Sequence, residues 1–201
     1  MKTMIKQSAI AIGLMTVLSA QTNAAVVDVS AITGANSSTV ALTNVVSNPN
    51  TNLLSVWNEQ QNYTLTSDLV LESGGTLMTG TQISSHFLFW DPSSNKSMNA
   101  TINFDADILG YFFEEATITN TNYLSAAGTT FTSSFNNLGL ESNDSTSFTG
   151  STLDIAWKAS SPGDSIRVIT AVSAVPEPST YALMLAGLGL VGFMAARRRK
   201  A

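Results

Sequence analysis

The 201-residue chain contains no cysteine. This absence excludes disulfide bonds, zinc sites with thiolate ligands and thiol nucleophiles. The chain also has one histidine, His86, so any mechanism that needs an imidazole base depends on that residue. Without cross-links, the stability of the protein must come from its hydrophobic core.

Basic residues are scarce in the middle of the chain. Residues 25–174 contain three basic and thirteen acidic residues, a net charge of −10. The whole chain has a net charge of only −5, because the other basic residues lie near its two ends. A markedly acidic domain repels phosphate backbones, so we expect no nucleic-acid partner.

Long hydrophobic runs are also few, and the first one is short. Two lysines precede an apolar run at residues 9–18, and the small residues Thr22 and Ala24 follow it. This layout is typical of a secretory signal peptide, and the run is shorter than the roughly 20 residues of a membrane-spanning helix. We therefore predict a signal peptide over residues 1–24 that signal peptidase removes after Ala24, with Ala20 as an alternative cleavage site.

The second hydrophobic run lies near the C-terminus. Residues 181–196 are uncharged and apolar, and as a helix they would be about 24 Å long at roughly 1.5 Å per residue. This length suits a transmembrane helix in a thin bilayer. A basic end follows directly: Arg197, Arg198, Arg199 and Lys200. Because positive charge is retained in the cytoplasm, we expect the rest of the chain to lie outside the inner membrane.

A short proline-rich segment precedes the apolar run. Pro176 and Pro178 flank Glu177. Two prolines favour an extended backbone and disfavour helix entry, so Glu177 should lie exposed on a stiff segment. A processing enzyme can grip such a segment in its cleft.

The tail at residues 175–201 resembles that of the PEP-CTERM family of exported bacterial proteins. Pro176-Glu177-Pro178, the apolar helix and the basic end occur in the family's order. The resemblance implies an exosortase-type membrane protease as partner, cleavage near residues 176–178, and an inner-membrane precursor that reaches the cell surface or the medium. It also implies a Gram-negative source and an association with exopolysaccharide or biofilm. The motif is also labelled as an ice-binding protein C-terminal domain, but a sorting tail implies nothing about ice.

The middle of the chain, residues 25–174, is long enough for one domain with one core. It is rich in Thr, Ser, Asn and β-branched residues, which favour strands. We predict an all-β fold, an antiparallel β-sandwich of which a jelly roll is one form. The predicted strands are residues 26–30, 39–43, 53–57, 63–71, 82–90, 101–105, 108–113, 145–149, 152–157 and 165–170. Residues 121–140 are interpreted as a loop or a short helix.

Two closely spaced carboxylates form the main candidate metal site. On one strand face, Asp105 and Asp107 would lie near each other, and paired carboxylates suit a hard cation. We expect no cofactor, with calcium as the one candidate. The alternative is a turn in which the carboxylates accept backbone hydrogen bonds, since two carboxylates supply only part of a calcium shell.

Catalytic signatures are weak. Strand alternation places His86 on one face with Ser84, and a triad with Asp91 or Asp105 lacks any nucleophile motif. We therefore interpret His86 as structural or as a surface residue. Arg167 should share a strand face with Ser165 and Ile169 and form a surface or rim ion pair.

Aromatic residues offer an alternative function. Flat rings beside Asn and Asp suit sugars, although rings within strands are usually buried. The candidates are Trp57, Tyr63, Trp90, Tyr111, Tyr123 and Trp157. The sequence as a whole predicts a non-enzymatic surface or matrix protein, with a carbohydrate-binding module as the alternative and a hydrolase as the third hypothesis.

Overall fold

The computed structural model describes residues 24–42, 44–45, 51–131, 139–161, 163–173, 184 and 187–189. Most of the predicted signal peptide and nearly all of the predicted sorting tail lie outside these residues. Their predicted structures therefore stay predictions. No helix within the described ranges is long and apolar enough to cross a membrane.

The described part of the chain is built mainly of strands. Between residues 24 and 173 its helical elements are the short helix α1 (Glu115–Asn120) and a 3₁₀ turn (Asn122–Leu124). The described residues 184 and 187–189 are also helical. Its strands are β1 (Val26–Thr33), β2 (Asn36–Ser38), β3 (Asn44–Val45), β4 (Thr51–Asn58), β5 (Tyr63–Thr64), β6 (Leu69–Val70), β7 (Thr76–Leu77), β8 (Gln82–Asp91), β9 (Lys96–Phe104), β10 (Ile108–Phe112), β11 (Thr130–Phe131), β12 (Ser145–Thr149), β13 (Thr152–Ala159) and β14 (Asp164–Ala171).

Two sheets form the body of the fold. The four-stranded sheet has the order β1-β9-β13-β12, and all its pairs are antiparallel. The six-stranded sheet has the order β10-β14-β8-β4-β2, with β5 beside β8; only the β2–β4 pair is parallel. The inner faces of the two sheets share one hydrophobic core, to which Trp90 and Ile166 contribute from one sheet and Ile102 and Trp157 from the other. These features confirm the predicted all-β class; the jelly roll stays a prediction.

The two sheets differ in how much of them is buried. In β13, buried and exposed side chains alternate, as expected for a sheet with one face in water. In β8 and β14 nearly every side chain is buried, which indicates that the six-stranded sheet is covered on both faces.

A third layer covers the outer face of the six-stranded sheet. It comprises α1, the 3₁₀ turn, the β6–β7 hairpin and the parallel β3–β11 pair; we call it the cap. A second core cluster fills this interface, where Phe87 and Phe89 of β8 meet Ile118 of α1 and Leu124 of the 3₁₀ turn. Residues 121–140, which the sequence predicted as a loop or a short helix, contribute the 3₁₀ turn and β11 to the cap.

Two of the predicted strands are wrong. Residues 39–42 form no strand, and Val40 is largely exposed; the strand lies just before them, as β2. Residues 63–71 do not form one strand but two short ones separated by a turn, in which Asp68 accepts hydrogen bonds from the backbone and hydroxyl of Thr79. This segment leaves the sheet to build the cap, where Leu65 is buried.

Candidate functional site

The predicted calcium ligands lie in the turn between β9 and β10. Asp105 Oδ1 accepts a hydrogen bond from the Ala25 N–H at 2.7 Å, and the Asp105 N–H donates to the Ala25 carbonyl at 3.1 Å. The carbonyl of Asp107 accepts from the Ala171 N–H at 2.8 Å. Both side chains are exposed. Asp105 therefore fits the alternative to a calcium site, a turn in which a carboxylate accepts a backbone hydrogen bond.

Three carboxylates or imidazoles in one place would make a stronger metal site. No group of three or more His, Cys, Asp or Glu residues that could hold a metal ion occurs among the described residues. Calcium at Asp105 and Asp107 therefore stays a prediction.

His86 lies on the inner face of β8, fully buried between the sheets. Its Nδ1 lies 2.9 Å from Asn58 Oδ1, and its Nε2 lies 3.0 Å from Thr170 Oγ1. Its ring packs against Phe104, with centroids 4.7 Å apart. Burial lowers the pKa of His86 to about 3, so the imidazole is neutral near pH 7. These contacts favour the structural interpretation, since the hydrogen-bond partners are an amide and a hydroxyl and the ring is closed off from substrate.

Three of the six candidate sugar-binding aromatics are inaccessible. Trp57, Trp90 and Trp157 are each at most 1% exposed. The ring that remains open is Tyr123, 47% exposed on the 3₁₀ turn of the cap. It lies beside the half-buried Tyr63, with ring centroids 5.7 Å apart and planes tilted by 45°. Among the candidate rings Tyr123 is therefore the most exposed. Tyr111, the remaining candidate, is half-buried, and its hydroxyl donates a hydrogen bond to the Thr146 carbonyl at 2.9 Å.

The prediction of a surface ion pair for Arg167 is wrong. Arg167 is completely buried beneath the cap, and it pairs with the equally buried Glu59. The prediction failed because β14 is buried on both faces, a property that depends on the cap and cannot be seen in the alternation of β14 itself. Glu59 follows β4 directly, and nothing in the sequence links it to a residue 108 positions away.

All five N–H groups of the Arg167 guanidinium donate hydrogen bonds. Nε donates to Glu59 Oε2 at 2.7 Å and Nη2 to Glu59 Oε1 at 3.0 Å, a bidentate pair. The other three N–H groups reach the cap: the Ile118 carbonyl at 2.8 Å, Thr121 Oγ1 at 2.6 Å and Ser125 Oγ at 3.0 Å. The ring of Phe87 lies beneath the guanidinium, 5.4 Å away. The network thus fastens the cap to the six-stranded sheet.

A second buried carboxylate escaped sequence reasoning. Asp164, at the start of β14, is 2% exposed, and its Oδ2 has no hydrogen-bond partner among the described residues. Burial, with the negative charges of Asp144, Glu141 and Asp91, raises the pKa of Asp164 to about 8. The carboxyl is therefore largely protonated at neutral pH. The sequence Pro-Gly-Asp-Ser around Asp164 is typical of a turn, so it gave no signal of burial.

The outer face of the four-stranded sheet is open and polar. A shallow concavity of about 340 Å³ lies on it. Hydroxyl, amide and carboxylate groups line this concavity around small alanines, and Thr101 Oγ1 donates to Asp154 Oδ1 at 2.6 Å. The hydroxyl and amide groups on this face reflect the abundance of Thr, Ser and Asn in the sequence.

The sorting residues Pro176, Glu177 and Pro178 and the basic end at residues 197–200 lie outside the described residues. Residues 174–200 match the family model of the PEP-CTERM protein-sorting motif, which confirms the motif predicted from the sequence. This motif implies an exported protein that an exosortase sorts. No curated protein and no solved structure matches the chain. The match covers the tail alone and gives no activity to residues 24–173.

Proposed function

We propose that the chain is an exported, non-enzymatic structural protein of the cell surface or extracellular matrix. The match of residues 174–200 to the sorting motif carries this proposal. The signal peptide at residues 1–24 starts export, the helix at residues 181–196 holds the precursor in the inner membrane, and the basic end stays in the cytoplasm. An exosortase-type protease then cleaves near residues 176–178 and releases or transfers the β-sandwich.

The character of the sandwich supports a structural role in a hydrated matrix. Residues 25–174 have a net charge of −10 and no cysteine. The single histidine is buried and neutral near pH 7, and the open sheet face presents hydroxyl and amide groups. Such a module stays soluble among acidic or neutral polysaccharides and needs no redox control. An exopolysaccharide is therefore the proposed surrounding.

The sorting step is tested on the exported full chain. Replacement of Pro176, Glu177 and Pro178 by alanine should leave an uncleaved, membrane-bound precursor, since the extended segment is lost. The matched control replaces the adjacent Ser179 and Thr180 by alanine and should be processed normally. Intact mass and cell fractionation measure both. A product of the triple variant that ends near residue 176 and lies outside the membrane would contradict the proposal.

A carbohydrate-binding module is the second candidate. The exposed Tyr123 beside Tyr63 favours it, since a tilted tyrosine pair offers a sugar ring an apolar surface and a hydroxyl. Saturable binding of the processed protein on a glycan array should be lost in Tyr123→Ala. It should be kept in Val70→Ala, which trims another exposed apolar side chain of the cap. Equal silence of all three proteins would leave the structural role as the better proposal.

A further inference from the structure

Asp105 contacts Ala25, the residue before β1, through two groups, its side-chain carboxylate and its backbone N–H. The Ala25 nitrogen lies 2.7 Å from Asp105 Oδ1, and the Asp105 N–H donates to the Ala25 carbonyl at 3.1 Å. The next residue continues the attachment, because the Val26 N–H donates to Asn58 Oδ1 at 3.1 Å. The carboxylate of Asp105 therefore faces the nitrogen of Ala25 at a fixed place in the fold.

Removal of the signal peptide after Ala24 would convert the backbone nitrogen of Ala25 from an amide to an amine. Hydrolysis breaks the Ala24–Ala25 peptide bond, and water supplies the hydroxyl of the new Ala24 carboxyl group and a proton of the new amine. The amide N–H of Ala25 becomes an α-ammonium group with three donors and a positive charge. An N⁺–H···O⁻ hydrogen bond is about twice as strong as a neutral one.

We propose that Asp105 is the binding site for the α-ammonium group of the mature N-terminus, so that leader removal completes an ion pair between β1 and the turn after β9. This inference rests on the proposed export and on cleavage after Ala24. The charged side chains in residues 24–33 and 99–108 are Asp28, Asp105 and Asp107. All three are carboxylates, so no cation on these segments competes for Asp105.

The same geometry orders the events. Ala24 is completely buried in the folded chain. A protease cannot reach the Ala24–Ala25 bond once β1 has docked on β9, so cleavage precedes docking. The new charge is then available when β1 joins the edge of the four-stranded sheet.

The test uses the full chain, exported and processed by a bacterial host. Mass spectrometry first identifies its N-terminal residue. The α-amine is then dimethylated with ¹³C-formaldehyde and titrated by NMR. With Asp105 beside it, the pKa of the α-amine should lie above its ordinary value of about 8. Asp105→Asn keeps a hydrogen-bond acceptor but should return this pKa to about 8. The matched control is Asp107→Asn, whose carboxylate makes no hydrogen bond to Ala25, and it should keep most of the shift.

Stability gives a second readout. The ion pair should make the unfolding equilibrium constant about two- to fivefold smaller than in Asp105→Asn, the usual range for an exposed pair. A raised amine pKa stabilises the fold fully below the amine's ordinary pKa, and this gain is lost as the pH rises through the raised value. The difference between the two proteins should therefore shrink from pH 7 to pH 10.

The outcomes separate the two proposals. An uncleaved, unexported chain would overturn the export proposal. An exported chain that begins at residue 21 would overturn the N-terminal site alone. An exported chain that begins at Ala25 but shows the same amine pKa with and without Asp105 would also overturn the site and leave export intact.

Discussion

The buried ion pair between Arg167 and Glu59 gives the sharpest prediction about the fold. Arg167→Met keeps most of the aliphatic volume but leaves the Glu59 carboxylate buried beneath the cap without its cation. Removing one partner of a buried pair costs about 3 to 5 kcal/mol. A domain of this size has about 5 to 15 kcal/mol of stability. We therefore expect Arg167→Met to remove about a fifth or more of the free energy of unfolding.

Urea unfolding followed by tryptophan fluorescence measures this loss. The three tryptophans are buried, so their emission should shift to longer wavelength when the chain unfolds. The matched control is Lys158→Met, which removes an exposed basic residue from β13 and should cost less than about 0.5 kcal/mol. Arg167→Lys should also be damaging, because an ammonium offers three donors where the guanidinium uses five.

A double variant separates the contribution of the ion pair from that of the volume that its two side chains fill. Arg167→Met combined with Glu59→Leu leaves no buried charge and should recover much of the loss, as replacement of buried pairs by apolar residues often does. Recovery should be incomplete, since the hydroxyls of Thr121 and Ser125 each lose a partner. A cost below about 1 kcal/mol for Arg167→Met alone would refute the argument that this network fastens the cap.

Three further predictions concern the interior. Asp164→Asn should stabilise the fold by roughly 4 to 5 kcal/mol more at pH 8 than at pH 4, because a raised carboxyl pKa makes folding less favourable by up to about 1.4 kcal/mol per pH unit across that window. Equal shifts of the urea midpoint at the two pH values would contradict this. His86 has a lowered pKa, so unfolding should become easier as the pH falls from about 6.5 towards 3, and His86→Gln should flatten that slope in acid titrations. Gly163→Ala places a Cβ against the Trp90 carbonyl oxygen at a φ of +84°, and should cost about 2 to 3 kcal/mol in thermal unfolding. Gly80→Ala, with a φ of +87° and open space around it, should cost about 1 kcal/mol. Equal losses in the two variants would count against the close approach.

Strand patterning predicted the sheets well because their signal is local. Residues 145–149 form the predicted strand, and the predicted strand at residues 82–90 lies within β8. The alternation around His86 is also correct, since Leu88 faces the inner core and Phe87 faces the cap. Each of these features depends on residues two or three positions apart.

The cap could not be predicted in the same way. Its elements are mostly two to six residues long, too short for a period to emerge. The cap covers one face of β14, and the sequence pattern did not predict the cap. The burial of Arg167 therefore could not be predicted. Sequence alone placed Arg167 at the surface because isolated arginines are rarely buried.

The same distinction explains why the tail was recognised and the sandwich was given only a class. The sorting motif at residues 174–200 is a linear sequence, so a family model recognises it from the order of its residues alone. The sandwich joins Glu59 to Arg167 across 108 positions and Ala25 to Asp105 across 80. Such pairs become visible only when register and layers are known. A sorting motif requires a fixed order of residues, whereas a β-sandwich depends on contacts that many different sequences can provide.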